Sequence, residues 1–461
     1  MRDALLGRQT IDLDVTVTAN PIVVARAVAG ALGGVLVVLD EPRQVARAVV
    51  QHEGVSWRVD VAPMQGDPIQ DLAHRDFTVD AMSVSLPLML EDGWQDRVLD
   101  PYGGRRDLQD RVIRAVGPQV FQEDGLRLLR AVRLAGSLGF DIEAGTQDLI
   151  RRDAQALDGI SGERIRDEFL AILTARHAIR RVYLLDELGL LCRVVPELEQ
   201  SRGVVQPKEH YWDVLHHNIE TVGTVEGLLE REWEPGWVLD AVPWDDSLAA
   251  HFRQIAGDGH TRATIVKLAG LLHDIAKPAT RTVDAEGRIR FRGHHSQGAE
   301  MVHIILQRLR LSRRSTDMIA TEIEHHLRPG QMSQETELAT PRAVYRYFRS
   351  AGDVAVDTLY LNMADYLAAR GPLLEREEWE TYAGRVRFIL DTGLAQVLPP
   401  APPLVNGHDL MELLGLSPGP GVGLLLEAVR EAQAAGEVAT REDALALARR
   451  LLDARGEEPH A

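Results

Sequence analysis

Ile11-Asp12-Leu13-Asp14-Val15-Thr16-Val17 decides how the first part of the chain is read. Apolar residues alternate with Asp and Thr, the period of a half-buried strand. Residues two apart on a strand face the same way, about 7 Å apart along the chain. Asp12 and Asp14 therefore point together, while Leu13 is expected to point into a core. Two hard oxygen donors so placed suit a pair of Mg²⁺ ions. The plain alternative is a pair of solvated acids on an edge strand.

Working outward, Val35 to Leu39 and Trp57 to Val61 read as further strands, and Ile22 to Leu32 and Arg43 to Val50 as helices. Residues 1–114 thus mix strands and helices, while helical periodicity dominates from Phe121 onward. The fold class is α+β: a small mixed-sheet head at 1–114, then an all-α body. That body divides into a helical block at 115–204, another at 205–395, and a helical tail at 404–461. The second block carries eleven of the 16 histidines, which makes a random scatter a poor account of them. Leu398-Pro399-Pro400-Ala401-Pro402-Pro403 reads as a stiff linker, with turns in the tail at Asn406-Gly407 and Ser417 to Gly421.

At 461 residues the chain exceeds one core, so two to four domains are expected. No apolar run of 18 residues predicts a membrane span, and Met1-Arg2-Asp3 opens without a secretory leader. The one cysteine, Cys192, sits in an apolar run and reads as a core thiol in a reducing cytoplasm. A net charge of −18 argues against coating nucleic acid by bulk charge, yet leaves room for RNA on a local basic surface. Arginines do cluster between Arg105 and Arg133.

Glu123-Asp124-Gly125-Leu126-Arg127-Leu128-Leu129-Arg130-Ala131-Val132-Arg133 offers an acid and three arginines that a helix would line up. Adenine and cytosine each present an amino donor beside a ring-nitrogen acceptor; guanine and uracil present the reverse. Asp only accepts and Arg only donates. A fixed Asp124–Arg127 pair would favour A and C and leave unpaired groups against G and U. Residues three apart on a helix are neighbours, so the spacing suits such a pair. The alternative is an exposed helix with ordinary ion pairs.

The order of further motifs narrows the choice. Arg2-Asp3-Ala4-Leu5-Leu6-Gly7-Arg8 precedes the acids; His74-Arg75-Asp76-Phe77-Thr78, Asp100-Pro101-Tyr102-Gly103-Gly104-Arg105-Arg106-Asp107 and Ser161-Gly162-Glu163-Arg164 follow. This series resembles the class II tRNA nucleotidyltransferase and bacterial poly(A) polymerase family, within the DNA polymerase beta-like superfamily. The resemblance implies that Asp12 and Asp14 bind catalytic Mg²⁺, with Asp60 where a third acid often stands. It implies that Arg2, Arg75, Asp124, Arg127, Arg130 and Arg133 contact the nucleotide. Three departures stand out. The Gly-Gly that usually precedes Arg2-Asp3 is absent, which reads as a truncation relative to the family. His74 and Asp80 stand where an arginine and an asparagine are usual. Arg75 follows Asp60 by only 15 positions, a shortened segment that family behaviour links with enzymes adding only cytidines.

Leu271-Leu272-His273-Asp274-Ile275-Ala276-Lys277-Pro278 looks like the centre of an HD domain, on a packed helix that Pro278 is expected to end. Mixed nitrogen and oxygen donors suit Mn²⁺, Ni²⁺, Fe²⁺ or Mg²⁺ better than a closed zinc cage. The HD resemblance supplies His217 and Asp365 as partners, and His294 and His326 as the further ligands of two-metal versions. Such domains are metal-dependent phosphohydrolases. The tail around Asn406-Gly407-His408 resembles the end of the same transferase family.

The expectation is template-independent addition of C, A or both to tRNA 3′ ends. The partners would be tRNA and ATP or CTP, not DNA or a membrane, in the cytoplasm; the sequence leaves the oligomeric state open. The rival is an HD phosphohydrolase whose truncated head only binds RNA; a third reading is a non-catalytic RNA-binding remnant.

Overall fold

The structure, a computed structural model, describes residues 1–332, 338–397 and 402–455. They form two compact units, the first 1–160 with 184–193, the second 161–183 with 194 onward. The dividing point falls inside the block read as 115–204.

The first unit is built on a four-stranded sheet. Its strands are β1 (Asp12–Val17), β2 (Val35–Asp40), β3 (Val45–His52) and β4 (Val55–Pro63), in the order β1-β4-β3-β2. β1 runs parallel to β4 and the other neighbours are antiparallel, so the sheet is mixed. Helix α1 (Pro21–Ala31) starts where Asn20 accepts a bond from the Val23 amide at 3.2 Å. It packs through Ala25 on Ala46 and Val61, with Val17, Leu36 and Val59 around them.

Two expectations fail here. Arg43 to Val50 is not a helix but most of β3. Ala46, Ala48 and Val50 are buried on one face while Arg47 and Val49 point to the other, a period of two. The alanines look helical in sequence, but they are small because α1 lies against the sheet. The β3–β4 hairpin closes through Glu53 and Gly54, both at positive φ (51° and 78°), the geometry of a type I′ turn. Leu13 is also not buried: it is 38% exposed. It shares the α1 side with Val59, but it begins an edge strand and stays outside the packed cluster.

In the rest of this unit, α2 (Pro68–Ala73) starts at an Asp67 capping box, and α3 (Arg127–Leu138) buries Leu128, Leu129, Val132 and Ala135. Cys192 is half-buried rather than fully enclosed.

Among the described residues the second unit is helical, save for two short two-stranded pairs. Five helices carry its site: α4 (Val214–Glu230), α5 (Arg262–Leu272), α6 (His294–Arg308), α7 (Arg313–His325) and α8 (Ala355–Arg370). α4 packs on α5 and α8, and α7 on α5, α6 and α8. Pro278 does not end α5. The helix stops at Leu272, and Pro278 lies in the first turn of the next short helix, Lys277–Thr280. Proline is tolerated there because that amide has no partner anyway. His273 and Asp274 therefore sit in the turn between the two.

The tail helices Gly407–Leu414, Pro420–Ala434 and Arg441–Arg455 enclose their own core of Leu410, Leu425, Val429, Ala444 and Ala448. Asn406-Gly407 is not a free turn. Asn406 caps the first of these helices and Asp409 answers it, a capping box. Residues 398–401 of the proline stretch lie outside the described residues. No described helix is long and apolar enough to cross a membrane.

Candidate active site and candidate metal centre

The sheet face away from α1 collects charge. Asp12 is in register with Arg58, Asp14 with Asp60, and Asp60 with Arg47, so all five side chains rise on one side. Arg58 holds Asp12 at 2.6 Å and Arg47 holds Asp60 at 2.6 Å. Asp14 sits between them, close enough for its charge to act on Arg47. Three hard carboxylates, two of which already hold a cationic guanidinium, fit divalent cations of the Mg²⁺ kind.

The predicted nucleotide contacts are all in the same unit. Arg2 Nη1 donates to Asp80 at 2.8 Å, and Asp76 receives Arg130 at 2.7 Å. Asp80, which replaces a neutral residue in the family pattern, is thus the partner of Arg2. Arg75 lies 3.4 Å from Asp71. Arg127 donates to Glu123 at 2.9 Å and to the His74 carbonyl at 2.7 Å. Arg133 lies half-buried two turns further along α3. Asp124 departs from expectation. It is not on the helix with the arginines but extended just ahead of it (φ −149°, ψ 107°), and it accepts the Leu126 amide at 3.0 Å. Gly125 makes the break: a Cβ there would lie 2.2 Å from the Ala156 carbonyl oxygen. The acid is therefore placed by a turn, not by helical i,i+3 spacing.

In the second unit, six predicted residues converge from five elements. His217 comes from α4, His273 and Asp274 from the turn after α5, His294 from the start of α6, His326 from the end of α7, and Asp365 from α8. His217 Nε2 lies 3.0 Å from Asp365 and 3.4 Å from Asp274; His273 Nε2 lies 3.2 Å from Asp274; His294 Nε2 lies 3.2 Å from its other oxygen. Two overlapping triads gather donor atoms within 4.8 Å: His217, His273, Asp365 and His273, Asp274, His326. His216, the doublet neighbour, turns instead to Asp213 at 2.9 Å.

The backbone sets the imidazoles. Nδ1 of His273, His294 and His326 bonds the carbonyls of Gly270, Phe291 and Ile323, at 2.8, 2.7 and 2.6 Å. That sets Nδ1 as the donor and turns each Nε2 toward the cluster. Nε2 of His294 and of His326 is buried without a hydrogen-bond partner. Burial pushes His326 down to about 3. Against burial, Asp274 and Asp365 carry His273 up to about 10. Against burial too, their neighbours hold both carboxylates well below the usual range. A buried site with spare lone pairs and two ionised acids calls for a cation, and its mixed donors fit Mn²⁺, Ni²⁺, Fe²⁺ or Mg²⁺.

Asp274, His294, His326 and Asp365 open into a cavity of about 440 Å³. Lys277 and Arg290 also line it, with Tyr366 and Tyr382 stacked at 4.1 Å. Lys277 Nζ sits 2.5 Å from Asp274 and 2.7 Å from Gln206 Oε1. Sequence reasoning assigned none of these cavity groups. Lys277 stands three positions beyond the His-Asp pair, a signal that was present; Gln206 and the tyrosines carry none. Arg47 was missed because β3 reads as a helix; Arg58 lies on a strand that the pattern did show, and its pairing with Asp12 leaves no local signal.

Known proteins match this arrangement. A family model described as the Poly A polymerase head domain covers residues 1–114. Another, the probable RNA and SrmB-binding site of polymerase A, covers 139–201, and an HD domain covers 247–370. The A-adding tRNA nucleotidyltransferase of Deinococcus radiodurans is 33% identical over 98% of this chain and 93% of its own length. The CC-adding tRNA nucleotidyltransferase of Thermus thermophilus is 33% identical over 97% and 91%. A solved CCA-adding enzyme in complex with ATP shares the fold, with a TM-score of 0.62 at 20% identity, over 100% of this chain and 89% of that one.

Proposed function

The chain belongs to the tRNA nucleotidyltransferase family and carries an HD domain, and from that premise we propose how its own residues divide the work. The reaction is template-independent addition of C or A to a tRNA 3′ end, with release of pyrophosphate. The observation that carries the assignment is the single sheet face shared by Asp12, Asp14 and Asp60. These acids would hold Mg²⁺, which when bound supplies a more acidic 3′ hydroxyl and charge for the triphosphate. Arg2, Arg75, Arg130 and Arg133 steady the phosphates, and their Asp partners pre-set the direction of the first three. Asp124 accepts the amino group of the incoming base, and Arg127 donates to its ring nitrogen. The bonds from Arg127 to Glu123 and His74 hold it in place for that task.

The product we favour is cytidine addition. Only residues 64–67 join β4 to α2, and the residue that closes α2 is tied to the base-reading helix through Arg127 and the His74 carbonyl. A short, pinned segment leaves the reader one setting rather than two. The relatives named for a single kind of base, one for A and one for CC, agree with a one-base enzyme and differ on which. The test offers CTP and ATP separately with Mg²⁺ to tRNA lacking CCA and to tRNA ending in CC. Cytidine addition to the first, with no reaction on the second, is expected. A single A on the second substrate gives the adenosine assignment, and no incorporation on either sinks the transfer reading.

The buried cluster and its cationic cavity support a second activity, a metal-dependent phosphohydrolase that trims phosphorylated RNA ends in the cytoplasm. His217, His273, Asp274, His294, His326 and Asp365 would hold the ions; Lys277 and Arg290 would receive the phosphate. Opening of a 2′,3′-cyclic nucleotide to its phosphomonoester, lost in His273→Ala while transfer persists, is the expected outcome.

A further inference from the structure

Two arginines on the transfer face have no part in the reading above. Arg58 holds Asp12 by one hydrogen bond, Nη2 to Oδ2 at 2.9 Å, while its Nε lies 2.6 Å from Oδ1 without bonding it. Arg47 grips Asp60 in a full fork of two hydrogen bonds, at 2.6 and 2.8 Å. The two pairs differ in their surroundings as well. The side chains of Arg58 and Asp12 are 42% and 54% exposed, those of Arg47 and Asp60 30% and 28%. An exposed ion pair is worth little, so Arg58 leaves its acid at small cost.

We propose that Arg58 is a nucleotide-binding residue that exchanges partners: it holds Asp12 while the face is bare and turns to the triphosphate when a divalent cation takes Asp12. The inference rests on the reading of the three acids as metal ligands. Charge balance favours it. Bare, the face sets three carboxylates against two guanidiniums. Two divalent cations and a fully ionised triphosphate bring charges that cancel, so the loaded face stays near balance only if both arginines remain. A guanidinium released from a carboxylate meets phosphate with its planar fork. Arg47, more enclosed, stays with Asp60 and keeps that acid aimed. β4 carries Arg58 beside the acids, so a change of rotamer, not of backbone, makes the exchange.

Two binding measurements on the full chain test this without turnover. The first is calorimetric titration with CTP, then ATP, in Mg²⁺. The second is Mn²⁺ binding followed by paramagnetic resonance of the free ion, where the ions lost in Asp14→Asn mark those held by the face. Arg58→Gln should weaken nucleotide binding about tenfold, the worth of one charge-assisted contact. It should leave the face's Mn²⁺ held as tightly or more tightly, because a competing cation is gone. Arg58→Lys, which keeps charge without the fork, should fall between and guards against a folding defect. Unchanged nucleotide affinity, or Mn²⁺ held more weakly, overturns the exchange; Arg58 then only positions Asp12. If Asp14→Asn loses no ion, the reading of the acids fails first and takes this inference with it.

Discussion

The two charged centres of this chain solve the same problem, gathering carboxylates, in opposite ways. On the sheet of the head, Asp12 is about half exposed and its partner is an exposed arginine. In the helical unit, Asp274 is 1% exposed and His217, His273 and His326 are wholly buried. Backbone carbonyls orient three imidazoles of the buried centre. The open face instead pairs two of its acids with arginines. The same acid-to-amide change should therefore be read out differently at the two places: as lost chemistry on the face, as lost chemistry and lost stability in the core.

That contrast breaks most sharply with Asp14→Asn. It should cut nucleotide incorporation by about 10³-fold, the order found when an electrostatic contact in the transition state is removed. Its melting temperature should match the wild type, because Asp14 is solvent-exposed. Asp274→Ala is the counterpart. It leaves Lys277, 6% exposed, without its carboxylate, and breaking a buried pair costs about 3–5 kcal/mol. Thermal unfolding should show that loss along with the end of cyclic-phosphate hydrolysis, and equal melting of the two variants would erase the distinction. A smaller effect belongs to Asp124→Ala. If the turn before α3 aims this acid at the base, each mismatched nucleotide regains about 1–3 kcal/mol, so discrimination against UTP and GTP relaxes about tenfold or more. Unaltered selectivity in single-nucleotide incorporation would assign base choice elsewhere.

Legibility in the sequence followed the same divide. The alternation in β1 and β4 and the order of the motifs gave the mixed-sheet head. His217, His273, Asp274, His294, His326 and Asp365, scattered over 149 positions, were each singled out from sequence, and the fold brings them to one point. Local pattern failed where tertiary packing chose the residue. Ala46 and Ala48 mimic a helix because α1 demands small side chains on β3. Asp124 sits by a helix but not in it, because Gly125 must pass the Ala156 carbonyl. Partners such as Arg58 for Asp12, or Gln206 for Lys277, are 46 and 71 positions apart, and no periodicity encodes them.

The smallest expected effect concerns a second buried acid that neither centre uses. Glu322 on α7 is wholly buried, and neither of its oxygens has a hydrogen-bond partner. Around it stand Asp357, itself shared by Arg262 and His251, and the Tyr347 ring. Burial first, and then the Asp357 charge, push the Glu322 carboxyl well above its ordinary range, and Arg262 only partly opposes them. The folded state therefore binds a proton that the unfolded chain gives up near pH 4.5. The stability tied to that proton is intact below the unfolded value and drains away as pH rises toward the folded one. Glu322→Gln keeps the shape and removes the titration. Its melting temperature should equal the wild type near pH 4.5 and exceed it by roughly 2–4 °C at pH 8.5, the shift that about 1 kcal/mol produces in a unit of this size. The sign separates the two kinds of buried acid: neutralising Asp274 costs stability because a lysine loses its carboxylate, whereas neutralising Glu322 adds it because the nearby cation, Arg262, is already held by Asp353 and Asp357. A Glu322→Gln chain that melts below the wild type at high pH would mean that its carboxylate is held ionised, and that the second unit contains a further cationic partner for it.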